Sequence, residues 1–313
     1  MAIFKHLIAA TAAITFAAPA FAEYPEKAIN LIVGFRAGGG SDAAARILAA
    51  ELEAQLGQKV IVENKGGAGG AVAAQFIQGQ DTDGYTIGFA VNTTFSYTPL
   101  TGSVPYGIDD FAYIGTTHGY RVVYSAPADA PFDDWAGMIA TAKDRGWINY
   151  ASIIPLDRAV IQYVGKKEDI AINIVPTRGG SAARQAVLGG HVDLGFSGSN
   201  ALPMYEDGAM KIIASMNPGG ISEHPEIPTL DSLGYDVFMN DAAIFFGPKD
   251  MDETARATLE AALAEAVKSD AFVDFVQNKF RGAEGFRTGA EAKATLEADA
   301  AVYTEMNKVI TAE

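Results

Sequence analysis

The chain has 313 residues, 49% of them hydrophobic, with a formal net charge of −15 and no cysteine. That length supports two domains of ordinary size, each with its own core. The acidity argues against nucleic acid or an anionic membrane surface as a partner, and the missing thiols exclude a disulfide framework, a cysteine nucleophile and a lipid-anchoring cysteine.

The N-terminus carries one cation, Lys5, followed by an apolar run from Leu7 to Ala18 that is too short to span a bilayer. The run closes on Ala20-Phe21-Ala22, and the polar, turn-forming Glu23-Tyr24-Pro25 follows. Small residues one and three positions before a cut mark a secretion signal, so residues 1–22 are expected to be removed after Ala22. The expected product is a soluble periplasmic protein. His6 would leave with the signal, and His118, His191 and His224 are too scattered for a zinc-binding helix, so neither metal nor cofactor is expected.

Ile29 to Val33 is a β-branched apolar run and predicts a buried strand. Gly34-Phe35-Arg36-Ala37-Gly38-Gly39-Gly40 follows, then Ser41 as a helix N-cap and Asp42 in the first turn. Leucines at helical spacing and Gly57 complete strand, glycine loop and helix. Lys59 to Glu63 predicts a second strand, Lys65 to Gly70 a second glycine-rich loop, Ala71 to Ile77 a helix, and Thr86 to Val91 a third strand. This alternation repeats with strands at Arg121 to Tyr124, Ile148 to Ala151, Ile172 to Val175, Val192 to Phe196 and Ile212 to Ser215. Ala242 to Phe246 predicts one more strand before a helical C-terminal part. The expected fold is α/β with two lobes, each a mainly parallel sheet flanked by helices. The boundaries expected are 23–122 with 241–313 for one lobe and 123–240 for the other, joined by crossing strands.

A glycine loop between a strand and a helix start lets backbone amides approach an anion. Gly38, Gly39, Gly40, Ser41 and Asp42 form such a loop, with Phe35 and Arg36 beside it, and Arg36 offers a fork suited to a carboxylate. Thr177, Arg178, Gly179 and Gly180 repeat the design ahead of Ser181. Asn92, Thr93 and Ser197 stand just past strands and add small donors. The Walker and Gly-x-Gly-x-x-Gly spacings are both missed, which removes nucleotides, and Gly-x-Ser-x-Gly is missed at Gly195 to Ser199. No nucleophile with its base is evident, so no catalytic residue is assigned.

Taken together, several of these segments resemble the solute receptors of tripartite tricarboxylate transporters, also called Bug receptors. They are Leu31 to Asp42, Val62 to Gly70, Asp83-Gly84-Tyr85-Thr86 and Leu188 to Leu194. The family usually has Pro where Gly34 and Ala37 stand and a small residue at Arg36. The resemblance implies a type II-like periplasmic binding fold with two crossing strands as hinge, and a cleft that closes on a small organic carboxylate. It also implies that the two glycine loops hold one carboxylate through amides, hydroxyls and waters, and that the receptor docks on a membrane permease. A monomer is expected. The segment Ala151 to Arg158 departs from the family's pattern; Ser152 is expected to contact the ligand, and Arg158 to meet a second carboxylate beyond the apolar Ile153, Ile154 and Leu156. A periplasmic co-receptor for a signalling kinase is the rival reading; a small carboxylate lyase or isomerase is a more distant one.

Overall fold

A computed structural model describes residues 24–312. The expected secretion signal lies outside the described residues. Among the described residues eleven strands form two sheets: β1 (Ile29–Val33), β2 (Val60–Asn64), β3 (Thr86–Val91), β4 (Phe111–Gly119), β5 (Val123–Pro127), β6 (Trp147–Ser152), β7 (Ala171–Pro176), β8 (Leu194–Ser197), β9 (Met210–Ser215), β10 (Ala242–Pro248) and β11 (Ala283–Thr288). The first sheet runs β11-β4-β10-β3-β1-β2 and the second β7-β6-β8-β5-β9.

Both sheets are mixed, which corrects the expectation of mainly parallel ones. β1 pairs in parallel with β2 and β3, and β6 with β7 and β8, because helices bridge these strands and return the chain to the same end. β10 runs antiparallel to β3 and β4, β11 to β4, and β5 to β8 and β9. The antiparallel set arises where the chain passes directly between the sheets. β4 leads into β5 through Tyr120-Arg121-Val122, and the return reaches β10 through Met239-Asn240-Asp241.

The two passages are bound to one another. Tyr120 N donates to Asp241 O (2.8 Å), and Gly119 pairs with Ala242. Asn217 stitches the junction: its Nδ2 donates to Tyr120 O (2.9 Å) and its Oδ1 accepts from Val122 N (2.7 Å).

Each sheet packs helices on both faces. Leu31, Leu48, Phe89, Phe245 and Leu259 fill one core of the first sheet, and Phe95, Phe111 and Phe246 fill its other face through edge-on ring contacts. Tyr124, Tyr150, Trp135 and Leu156 form the main core of the second. The last helix, Gly289–Thr311, belongs to both: Ala292 and Leu296 enter the first sheet's core, whereas Tyr303 and Met306 enter the second's.

Candidate functional site

The carboxyl ends of β1 and β7 bring their loops to one cleft between the sheets, a cavity of about 530 Å³. Gly38 takes φ +82°, a left-handed conformation that a side chain would strain, and a Cβ at Gly40 would lie 2.6 Å from Phe280 Cε2. The chain can therefore turn here and let the helix Gly40–Leu56 begin against the cleft. That helix has Gly39 as its N-cap and no side-chain cap, so its first-turn amides keep their hydrogens for another acceptor. Across the cleft the helix Gly180–Leu188 starts the same way on Gly179, again without a side-chain cap. Gly66, Gly67, Ala68 and Gly69 bring a third glycine-rich turn to the same wall.

A third helix start, that of Pro155–Glu168, shows the opposite solution. The Asp157 carboxylate accepts from Ile153 N (2.7 Å) and Ile154 N (2.8 Å), so this N-terminus holds an anion of its own. Burial pushes Asp157 up to about 6, against those amide bonds. Its apolar residues Ile153 and Ile154 reach the cleft instead.

Of the residues expected at the site, Phe35, Arg36, Gly38, Gly39, Gly40, Ser41, Thr177, Arg178, Gly179 and Gly180 line this cavity. Arg36 and Arg178 are exposed, and among the described residues neither guanidinium is committed to an ion pair. Ser41 is not the N-cap that its position suggested; its hydroxyl is 2.8 Å from the Tyr120 hydroxyl. Ser181 likewise lies inside its helix, with Gly179 as the cap.

Six expected residues do not line the cavity. Asp42 turns back on its own loop, accepting from Gly38 N (2.9 Å) and bonding Arg46 and Asn64. These bonds hold its carboxyl below the usual range against the effect of burial. Asn92 and Thr93 are buried behind Asp241, and Thr93 Oγ1 donates to Asp241 Oδ1 at 3.4 Å. Ser197 is buried in the second sheet, its hydroxyl 2.7 Å from that of Ser125. Ser152 is buried next to Asp157. Arg158, one residue further along the helix, leaves the cleft wall and lies near enough to Tyr97 to act on that phenol electrostatically. Arg158 thus does not line the cavity where it was expected, and its Nε is buried without a hydrogen-bond partner.

The sequence reading missed Tyr120, Val122, Phe196, Asp241 and Phe280, all on the cleft. Tyr120, Val122 and Asp241 come from the two passages between the sheets, and only their place at the end of a strand hinted at it. Asp241 is 6% exposed, and burial pushes its carboxyl up to about 7, with Thr93 opposing and Asp299 adding to the rise. At the cleft's edge the sheets are also bridged by ions: Arg281 reaches Glu206, which His224 Nε2 approaches at 3.0 Å. A separate hollow of about 640 Å³ lies by Phe272, Val276 and Phe286 and includes none of the glycine loops. No group of metal-ligating side chains is found among the described residues.

The family described as tripartite tricarboxylate transporter family receptor matches the chain over residues 44–306. The chain belongs to that family. It is 32% identical over 269 residues to the UPF0065 protein in the gbd 5′ region of Cupriavidus necator, covering 83% of this chain and 82% of that one. A solved periplasmic transporter superposes with a TM-score of 0.80 at 25% identity, covering 91% of this chain and 97% of its own. MatC of Rhodopseudomonas palustris with bound malate (TM-score 0.79, 22% identity, 90% and 99% covered) and R. palustris Rpa4515 with adipate (0.78, 20%, 92% and 98%) share the fold. The chain is thus a solute-binding receptor of the two-lobed α/β type and not an enzyme.

Proposed function

We propose that this receptor captures a small organic carboxylate, foremost a di- or tricarboxylate, between its lobes and delivers it to a tripartite tricarboxylate-type membrane permease. The observation that carries the reading is the meeting of two uncapped, glycine-led helix starts, at Gly39 and Gly179, with Arg36 and Arg178 on one cavity. Each helix start offers amides and the positive end of a dipole to an anion. The chain fills a neighbouring helix start with its own Asp157, which supports an anion as the occupant of such a site. The fold neighbours that hold malate and adipate agree with a carboxylate ligand.

In this reading the chain is exported, cut after Ala22 and works as a monomer in the periplasm. The lobes 23–122 with 241–313 and 123–240 close about the passages at Tyr120 and Asp241, driven by contacts that the ligand makes only in the closed form. A calorimetric and thermal-shift screen of mono-, di-, tri- and aromatic carboxylates tests it. Binding of at least one member, with compaction in solution scattering, is expected; no binding across the set refutes it. Delivery is tested by permease-dependent uptake of the best ligand into vesicles.

A further inference from the structure

We infer that Asp241 selects, among carboxylates, those whose carbon chain carries a hydrogen-bond donor, a hydroxyl or an ammonium group. This rests on the carboxylate reading of the cleft and goes one step further, to the chemistry of the ligand's other end.

Asp241 lines the cavity from the second passage between the sheets, and its own carbonyl accepts from Tyr120 N (2.8 Å) on the first. Its backbone is therefore fixed at the junction of the lobes. Its carboxyl Oδ1 accepts from Thr93 Oγ1 at 3.4 Å, and the Thr93 amide adds a backbone bond. Among the described residues no lysine, arginine or histidine is paired with it. Two donors for a carboxylate with about four acceptor sites leave capacity unused.

Among the described residues no cation acts on the Asp241 carboxyl. From the last helix comes Asp299, to which Asn240 Nδ2 donates at 3.2 Å. Tyr120 and Tyr303 face it with phenols that burial keeps neutral, and the His118 ring beside Tyr120 is held neutral, pushed down to about 3 by burial. Arg36 and Arg178 stand on the glycine loops that line the rest of the cleft. The cleft thus has a cationic, amide-rich side and an acidic end. A ligand carboxylate is matched to the first and repelled by the second. A hydroxyl or ammonium group on the ligand would use the spare acceptor capacity of Asp241, whereas an unsubstituted carbon chain would cover that carboxylate and leave it unpaired.

Matched sets of ligands provide the test: succinate, malate and aspartate; glutarate, 2-hydroxyglutarate and glutamate; butyrate, 2-hydroxybutyrate and 2-aminobutyrate. Titration calorimetry at pH 7.5 should show, in the best-binding set, the hydroxy or amino member bound about tenfold tighter than the unsubstituted one. The tighter of the two identifies the donor. Asp241→Asn, which keeps an acceptor for Thr93, should reduce that preference to within about threefold while binding the unsubstituted member at least as well. Asp241→Ser serves the same purpose if the amide disturbs the fold, as judged by melting temperature. Carboxylate binding without a preference, or a preference that survives both substitutions, overturns the inference alone. Binding of no member overturns the carboxylate reading and the inference with it.

Discussion

Asp241 also makes a prediction about stability, independent of any ligand. Its folded carboxyl titrates at about 7, against 3.8 for an exposed one, because burial disfavours the charge. The raised value means that the folded state holds its proton more tightly than the unfolded chain does. The penalty is therefore absent below pH 4, grows between about 4 and 7, and is constant above. Fully developed, it amounts to about 4 kcal/mol. Asp241→Asn removes the charge but keeps the shape, so at pH 8 the variant should be more stable, with Tm raised by about 5–10 °C. At pH 4 both proteins are neutral at this position and should melt within about 2 °C of each other. Differential scanning calorimetry of ligand-free protein at the two pH values measures this. An equal gain at both pH values would assign the effect to packing, and no gain at pH 8 would refute the buried-charge argument.

Other substitutions bear on the cleft. Arg36→Ala and Arg178→Ala should each weaken the best carboxylate by about tenfold or more, as expected for a lost charge-assisted bond, while Arg158→Ala changes affinity less than about twofold; calorimetric titration decides. Gly38→Ala forces a side chain into φ +82°, at a cost of about 1–2 kcal/mol, visible as a lower urea midpoint and weaker binding. Arg281→Ala removes the ion pair with Glu206, both partners being about a third exposed. It should leave stability within about 1 kcal/mol but increase the radius of gyration of the unliganded protein in scattering; an unchanged radius would show that the bridge does not hold the lobes together.

The sequence exposed those parts of the fold whose causes are local. β1 and β3 lie where the β-branched runs place them, because each is a short apolar segment between turn residues. β4 and β11 were missed. β4 breaks its apolar run with Gly115, Thr116, Thr117 and His118, and β11 is a polar edge strand; both owe their conformation to partners far along the chain. The glycine loops of the cleft were legible for a similar reason: backbone geometry that demands glycine is written in the residue itself. Donors at strand ends were not separable by type. Thr177 and Ser197 look alike in sequence, yet only Thr177 lines the cleft, because Ser197 is paired with Ser125 inside the sheet. Asp241 is the reverse case, an acidic residue in an apolar stretch whose significance appears only when two passages 120 residues apart are bonded together.

The last helix has a practical consequence. Its 23 residues form a rod about 35 Å long, gripped near one end by the first core and near the other by the second. Any change in the angle between the sheets must bend or roll this rod between its two grips. Ala301 lies there on an exposed face, between Leu296 and Tyr303, and the chain has no native cysteine. A single thiol introduced at that position would accept one fluorophore, and its emission would turn lobe movement into an optical signal from outside the cleft lining.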